Sequence, residues 1–396
     1  MFRWLHLGDL HPNNSQTFAG KTVLDPETGL NQALTDLRRS LHFAYSVATA
    51  PEKRCDVALL TGDLFDSSRP HANEVRVLVD FVIRLADEMP VIIISGNHDI
   101  SQNPQDATAL ACFAGIENVF VYERPGSRYI EIRDAKIKFC CLPYPTKGRL
   151  LTQDIARDAA PEQVTAMIND GLAAILRSFQ LGLLPGELSV LLAHGSVSNA
   201  KVGEQPRSLA HDILIPLQEC DRFNYVALGH IHQEQQVAPN AWYSGSLMRQ
   251  SFGEEHEAKG FNLVSLEPGQ PARVEFVENP HARIYSTIGY SDYLSVLDES
   301  AGAGAFNKDV VWRFKAQLTP EQWSACKLTT DRWQQETPFF QVDVEILNED
   351  RARDAGMAQC LNMDQALTRI LFGLIEEHEA PMVMEKHQVL VQEVGS

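Results

Sequence analysis

The sequence predicts a layered α/β protein, in which short buried strands alternate with amphipathic helices. Five short apolar runs rich in β-forming residues have the length and composition of buried strands. These runs are residues 2–7, 56–61, 91–94, 188–192 and 223–228. Apolar residues at helical spacing lie between them, at 31–50, 71–88 and 161–181, and the last stretch opens with a proline suited to a first helical turn. Parallel strands in such sheets carry their sites at the carboxyl ends.

Each of the five runs leads into a short cluster of polar residues. The clusters are Asp9-Leu10-His11, Gly62-Asp63, Gly96-Asn97-His98-Asp99, His194 and Gly229-His230-Ile231-His232. Side chains two residues apart in an extended segment share a face, so each Asp-x-His or His-x-His pair can reach one centre. Carboxylate, imidazole and amide oxygen ligands suit hard and borderline divalent ions. Two such ions about 3.5–4 Å apart hydrolyse phosphodiesters, so the sequence predicts a two-metal site.

In order and content, these clusters resemble the motifs of the calcineurin-like metallophosphoesterase superfamily. Their surroundings resemble the Mre11/SbcD branch of DNA-repair nucleases at residues 62–70, 143–145, 243–246 and 259–261. The resemblance is close over roughly residues 1–280 and weak beyond. It implies a four-layer αββα metallophosphoesterase sandwich over residues 1–283. It also implies a smaller C-terminal α/β capping domain with a C-terminal helical segment over residues 284–396.

The same resemblance implies a role for each polar residue of the clusters. The ligands would be Asp9, His11 and His232 for one ion, Asn97, His194 and His230 for the other, and Asp63 as the bridge between them. His98 would not bind metal. It would stand near the scissile phosphate and stabilise the transition state or protonate the leaving oxygen, and Asp99 would orient its ring.

Asp66 and Arg69, which follow the bridging Asp63 in the sequence, are candidates for substrate binding. Some archaeal-type members of the nuclease family carry a histidine three places after the bridging aspartate, where this chain has Asp66. Arg69 follows in the same segment. The alternative is that both belong to the entry of the helix that begins near residue 71.

The C-terminal part also contains strand-like and helical stretches. Residues 310–314 and 339–346 are predicted strands, and a helix is predicted to start at Thr319-Pro320. A last helix is predicted over 364–378 and a strand over 388–393.

The amino-acid composition indicates where in the cell we expect the protein. The seven cysteines include no C-x-x-C pair, which is typical of reduced thiols in the cytoplasm. The chain contains no apolar run long enough to cross a membrane, and its start is unlike a signal peptide, so we expect neither an anchor nor a leader.

The charge balance weighs against unassisted DNA binding. There are 34 Lys and Arg against 52 Asp and Glu, giving a net charge of −18, whereas duplex-binding proteins normally carry a basic surface. Bound metal, a protein partner or local basic loops could offset this charge. The candidate loops are 147–149, 201–207 and Arg249. An organism adapted to high salt would produce the same balance.

The combined prediction is a manganese-dependent DNA phosphodiesterase of DNA repair, acting as a 3′-to-5′ exonuclease and single-strand endonuclease. Iron and zinc remain open as alternatives to manganese. By resemblance, the partners are DNA and a coiled-coil ATPase of the Rad50/SbcC type. The element that contacts the ATPase is either short or lies within residues 351–378, and a homodimer is also compatible.

Three other functions compete with this prediction. The stronger rival is a small-molecule or cyclic-nucleotide phosphodiesterase of the same superfamily, which the acidic charge favours. A Ser/Thr phosphatase would carry an Arg-Gly pair and a Gly-Asn-His-Glu box where this chain has Asp66-Ser67-Ser68 and Asp99. An inactive scaffold would normally have lost ligands, and none is lost here.

Overall fold

A computed structural model describes residues 1–18, 20–101, 103, 106–146, 161–201, 213–293, 307 and 309–347. The predicted elements at 364–378 and 388–393, the docking segment 351–378, and the basic positions 147–149 and 202–207 lie outside these residues. The described helices are α1 (Gln32–Thr49), α2 (Ala72–Ala86), α3 (Pro161–Leu181) and α4 (Pro320–Glu336). The strands of the first half are β1 (Phe2–Leu7), β2 (Thr17–Phe18), β3 (Lys21–Thr22), β4 (Val57–Leu60), β5 (Val91–Ile94), β6 (Val119–Tyr122), β7 (Gly126–Ile132) and β8 (Ala135–Leu142). Those of the second half are β9 (Ser189–His194), β10 (Tyr225–Gly229), β11 (Gln235–Ala238), β12 (Ala241–Tyr243), β13 (Gly260–Leu266), β14 (Arg273–Glu278), β15 (Ile284–Ile288), β16 (Val310–Leu318) and β17 (Phe340–Ile346).

Two six-stranded sheets form the centre of the fold. The first has the order β14-β13-β1-β4-β5-β6, and the second has the order β11-β12-β10-β9-β8-β7. Strands β1, β4, β5 and β6 run parallel to one another, as do β8, β9, β10 and β12. The remaining strands of both sheets pair antiparallel with their neighbours. The carboxyl ends of the parallel strands are therefore the two places where the five predicted clusters emerge.

Successive side chains of β1 point to opposite faces of its sheet and pack in two different cores. Leu5 and Leu7 point into a core shared with α1 and α2, whereas Trp4 belongs to a second core that joins the two sheets. A third core packs α3 against the second sheet through Ile168 and Leu172. Because successive side chains of a strand face opposite sides, apolar residues on both sides require cover on both sides. The predicted four-layer αββα architecture is confirmed.

The helix starts are set by local side-chain hydrogen bonds. Asn31 caps α1 by accepting a hydrogen bond from the Ala33 backbone N–H at 2.9 Å. His71 caps α2, and the Glu74 side chain in turn accepts from the His71 backbone N–H at 2.8 Å, which completes a capping box. The predicted helix at 71–88 is thus confirmed with ends that are shorter by one and two residues.

The C-terminal part contains a third sheet, ordered β15-β16-β17, with α4 between β16 and β17 in the chain. The chain divides into two compact units, of which the first comprises Met1–Thr287, Gly302–Arg313 and Thr337–Gln341. The second comprises Ile288–Ala301, Phe314–Glu336 and Val342–Ser396. Within the second unit Tyr293 packs on Phe314 and Trp333, with ring centroids 5.4 Å apart in both pairs. The domain boundary at 283/284 stays a prediction.

Two compositional expectations can be compared with the described residues. The six cysteines that the structure describes are all free thiols. Among the described helices, none combines the length and apolar character needed to cross a membrane.

Candidate metal centre

The five predicted clusters meet at one place, where the parallel strands of both sheets end. Asp63, after β4, lies at the middle, with its Oδ2 3.4 Å from His194 Nε2 and 3.6 Å from His11 Nε2. The amide oxygen of Asn97 lies 3.1 Å from His194 Nε2 and 3.0 Å from His230 Nδ1. Residues far apart in the chain therefore share a site only because the two sheets face each other.

The side-chain atoms that could hold a cation form three groups, of which one joins His11 to Asp66 and His98 and the other two consist of predicted ligands. Asp63, His194 and His230 have ligand atoms within 4.8 Å of one another, and so do Asp9, His11 and His232. In the second group His11 Nε2 and His232 Nε2 are 3.2 Å apart. The structure thus brings together all seven residues that the sequence predicted as ligands.

Hydrogen bonds at Nδ1 of two imidazoles determine whether the Nε2 atoms, which face the centre, donate or accept. His194 Nδ1 lies 2.7 Å from the Thr61 carbonyl oxygen, and His232 Nδ1 lies 2.8 Å from Glu254 Oε1. Carbonyl and carboxylate oxygens only accept, so the neutral rings carry their proton on Nδ1 and direct the Nε2 lone pair at other acceptors. Lone pairs converging on oxygen atoms repel unless a proton or cation lies among them. The donor set therefore fits divalent ions.

Several residues at the site have a backbone conformation that residues other than glycine rarely adopt. Positive φ angles occur at Asp9 (52°), His11 (40°), Asp63 (48°) and His230 (106°), four of the six such non-glycine residues in the described chain. Strain of this kind costs on the order of 1–3 kcal/mol per residue and persists where the surroundings enforce it. Its concentration on candidate ligands indicates that the fold stabilises a functional geometry.

Backbone groups of one cluster orient the carboxylates of another. The His230 N–H donates to both Asp9 carboxylate oxygens at 3.0 Å. The His98 N–H donates to Asp63 Oδ1 at 2.8 Å. These bonds connect the ends of four strands, β1 with β10 and β4 with β5, and leave the Oδ2 atom of Asp63 facing the imidazoles.

The orienting role predicted for Asp99 needs correction. The Asp99 carboxylate is fully buried and accepts from the backbone N–H groups of Gly96 at 2.9 Å and Phe65 at 3.0 Å. The His98 ring instead places its Nδ1 3.0 Å from the Asp66 carbonyl oxygen. Asp99 therefore fastens two ligand-bearing loops together, because its side chain points into the protein and not toward the neighbouring ring.

Charges in the cluster shift several pKa values. Burial disfavours a charged His194, but the adjacent Asp63 carboxylate outweighs burial and raises the pKa of His194 to about 9. Burial also acts against a charged Asp63, yet His194 and His11 hold the pKa of that carboxyl below its ordinary value. Burial, aided by His194, lowers the pKa of His230 to about 3. Burial and the nearby Asp63 raise the pKa of Asp99 to about 6. A proton shared by Asp63 and His194 would compete with a cation, so metal affinity should fall on acidification.

The two candidate substrate-binding residues are placed differently. Asp66 Oδ1 lies 3.4 Å from His11 Nδ1 and 3.9 Å from His98 Nδ1, so this carboxylate borders the centre. Arg69 is 86% exposed and lies 3.7 Å from Asp106. Both residues precede α2, so they belong to its entry loop and not to the helix.

Two residues next to the site, Glu254 and Lys259, were not predicted as site residues from the sequence. Glu254 contacts His232, and Lys259, fully buried, donates to Glu254 at 2.8 Å. Burial opposes ionisation of Glu254, but His232 and Lys259 lower its pKa to about 2. Lys259 was part of the stretch that resembles the nuclease branch, whereas Glu254 stands in an acidic run with no motif to mark it.

Sequence similarity to known proteins extends over more than half of the chain. The family model of the calcineurin-like phosphoesterases matches residues 2–234, a range that includes every candidate ligand. The SbcD component of the nuclease SbcCD from Staphylococcus epidermidis is 26% identical over 268 residues, 66% of this chain and 68% of that protein. Among solved structures, GAP50, the anchor in the inner membrane complex of Plasmodium, is 14% identical, with a TM-score of 0.39 over 70% of this chain and 85% of that one. The sulfate thiohydrolase SoxB of Thermus thermophilus is 11% identical, with a TM-score of 0.33 over 70% and 56%.

Proposed function

The chain belongs to the calcineurin-like phosphoesterase family, and from that premise we propose that it is a two-metal phosphodiesterase that hydrolyses DNA. We assign it 3′-to-5′ exonuclease and single-strand endonuclease activity in DNA repair, with manganese as the metal. Its similarity to the SbcD component of a nuclease supports DNA as the substrate.

One observation carries the proposal: six ligand side chains from four other segments surround Asp63, and His98 stands beside them. The His98 and His11 rings are 4.8 Å apart between centroids, and His98 is 42% exposed. A largely buried cluster with a more exposed imidazole at its edge suits an in-line attack on a bound phosphodiester.

The proposal assigns each candidate ligand to one or both of the two ions. Asp9, His11 and His232 would hold one ion, Asn97, His194 and His230 the other, and Asp63 both. Two divalent ions, when bound, supply positive charge for the phosphate oxygens and a hydroxide at neutral pH. The buried carboxylates and imidazoles fix these charges in place before substrate arrives, which lowers the cost of reorganisation.

His98 would act on the leaving group. The Asp66 carbonyl accepts the proton of Nδ1, so the ring keeps one orientation, and among the described residues Nε2 has no hydrogen-bond partner. When doubly protonated, the ring can donate a proton from Nε2 to the departing oxygen, or a hydrogen bond to the phosphate in the transition state. We assign Asp99 to the position of the loop and not to proton transfer.

The ATPase partner belongs to the same proposal. The relative is one component of a nuclease named SbcCD, and we propose that this chain likewise pairs with an ATPase of the Rad50/SbcC type. Such a partner would supply basic surface that a chain of net charge −18 lacks. The homodimer and the cytoplasmic location stay predictions.

A cyclic-nucleotide phosphodiesterase remains the second candidate, and the net charge of −18 favours it. A small substrate needs less basic surface than a duplex, because fewer phosphates must be neutralised. The same metal centre would serve both reactions.

Substitution of His98 tests the activity directly. We expect His98→Ala to bind two Mn²⁺ like the wild type but to hydrolyse end-labelled linear and single-stranded DNA about 10²- to 10⁴-fold more slowly. Asp63→Asn should lose metal and activity together, because the shared carboxylate loses its charge. His42→Ala, which removes an exposed imidazole on α1, is the matched control and should behave like the wild type.

One result would overturn the role of His98, and another would overturn DNA as the substrate. Equal rates for His98→Ala and wild type would remove His98 from catalysis. Hydrolysis by the wild type of a cyclic dinucleotide alone, with both DNA substrates intact, would establish the second candidate.

A further inference from the structure

His232, His11 and His194 each direct Nε2 at the metal centre and Nδ1, the outer nitrogen, away from it. The groups that these Nδ1 atoms contact differ in charge. His232 Nδ1 faces the Glu254 carboxylate at 2.8 Å, and His11 Nδ1 faces the Asp66 carboxylate at 3.4 Å. His194 Nδ1 faces a neutral group, the Thr61 carbonyl oxygen, at 2.7 Å. A carboxylate on the outer nitrogen fixes the ring and makes the inner nitrogen a better electron donor than a carbonyl does.

Glu254 is itself held in place by a buried ammonium group. Lys259 is 1% exposed, and its Nζ contacts Glu254 Oε2 at 2.8 Å and Glu257 Oε2 at 2.7 Å. The same Nζ donates to the His232 carbonyl oxygen at 3.1 Å and to Ser246 Oγ at 3.0 Å. Lys259 thus contacts both the Glu254 carboxylate and the backbone of His232, the candidate ligand that Glu254 contacts.

This arrangement fixes Glu254 more firmly than Asp66. The Glu254 side chain is 13% exposed and has a polar contact at each oxygen, because Oε1 contacts His232 Nδ1 and Oε2 contacts the Lys259 ammonium group. Asp66 is 43% exposed, so water screens its charge. Of the two carboxylates, Glu254 should therefore act more strongly on its imidazole.

We propose that Glu254, clamped by Lys259, is a positioning residue for His232 and makes the ion at Asp9, His11 and His232 the more tightly bound of the two. The inference rests on the two-metal interpretation of the site in the proposed function. Metal would consequently load in order, first at the group backed by carboxylates and then at the group backed by the Thr61 carbonyl.

Calorimetric titration of the metal-free full chain with Mn²⁺ tests the proposal. The wild type should show two binding events of different affinity. Glu254→Gln keeps the shape of the side chain but removes its charge, and we expect it to weaken the tight event about 10- to 100-fold with little change in the weak one. His232→Ala should abolish the tight event and leave the weak one.

Glu257→Gln is the matched control. It removes a charge from the same lysine at 2.7 Å, and the structure gives it no contact with His232 in the described chain, so both events should stay as in the wild type. Circular dichroism and the melting temperature of each metal-free variant establish that it is folded. The EPR spectrum at one equivalent of Mn²⁺ should show isolated ions in the wild type and a mixture with coupled pairs in Glu254→Gln.

Three results would overturn the inference. They are two indistinguishable events in the wild type, an unchanged tight event in Glu254→Gln, and equal weakening of both events. Absence of DNA hydrolysis by the fully loaded wild type would instead overturn the proposed function, because the titration measures binding without any substrate.

Discussion

At the scale of single residues, buried polar groups are used as fixed contacts and not as free charges. His6, in the layer between the sheets, is fully buried, with Nδ1 2.8 Å from the Tyr225 hydroxyl and Nε2 3.2 Å from the Leu228 carbonyl oxygen. A neutral ring satisfies both contacts, since the carbonyl accepts the Nε2 proton and Nδ1 accepts from the hydroxyl. Burial lowers the pKa of His6 to about 3.

Acid should therefore destabilise the protein through His6. The unfolded chain takes up a proton below about pH 6.5 and the folded chain only near pH 3, so stability is full above pH 6.5 and is lost as the pH falls between these values. The slope is up to about 1.4 kcal/mol per pH unit. His6→Gln keeps a donor and an acceptor but cannot titrate. Between pH 7.5 and 5, urea unfolding of the metal-free wild type should lose about 2 kcal/mol more than the variant loses.

The other histidines titrate in both proteins and cancel in this comparison. Equal losses of stability for wild type and variant over this pH range would show that His6 does not contribute.

At the scale of elements, the helix α2 connects a structural cap to the site loops. The Glu74 carboxylate accepts from the His71 N–H at 2.8 Å and from the Asn14 N–H at 2.6 Å. Asn14 lies three residues after His11 in the loop that follows β1. The capping box thus orders the start of a helix and, through the same carboxylate, a loop next to a candidate ligand.

Removing the Glu74 carboxylate should have a measurable cost. Glu74→Ala leaves two backbone N–H groups without their acceptor, and we expect it to lower the free energy of unfolding by about 1–2 kcal/mol. Glu74→Gln retains an acceptor oxygen and should lose less than half as much. Urea denaturation of the three proteins measures the effect, and an alanine variant as stable as the wild type would contradict this role.

At the scale of the whole molecule, the site depends on the long-range arrangement of the chain. Its candidate ligands run from residue 9 to residue 232 and come from both sheets. The unfolded chain does not bring these residues together, so an ion that binds the folded state stabilises it.

Metal should consequently raise the stability of the whole fold. At a free Mn²⁺ concentration 100-fold above the dissociation constant, one site adds about 2.7 kcal/mol. Calorimetry should show a melting temperature that rises with Mn²⁺ in the wild type and in His98→Ala, but not in Asp63→Asn. A melting temperature that does not change with Mn²⁺ in the wild type would rule out ligand binding by the folded centre.

The elements differ in how well the sequence predicted them. The bounds of β1, β5 and α3 were predicted at both ends, because the two strands are short runs rich in apolar residues and α3 has apolar residues at helical spacing after an initial proline. Strands β6, β7 and β15 were not predicted. β6 is an apolar run of four residues like β5, so its composition does not explain why it was missed. Much of β7 is exposed at the edge of its sheet, so its apolar pattern is weak.

The order of the polar clusters determined the family, the candidate ligands and the strand ends that carry them, since these features depend on residue type and local spacing. Tertiary structure decided the rest. It turned Asp99 into the protein, set the Asp66 carbonyl against the His98 ring, and placed Glu254 and Lys259 against a histidine 22 and 27 residues earlier in the chain. Contacts of this kind follow from how loops pack around the ends of two facing sheets, and no local pattern of residues encodes them.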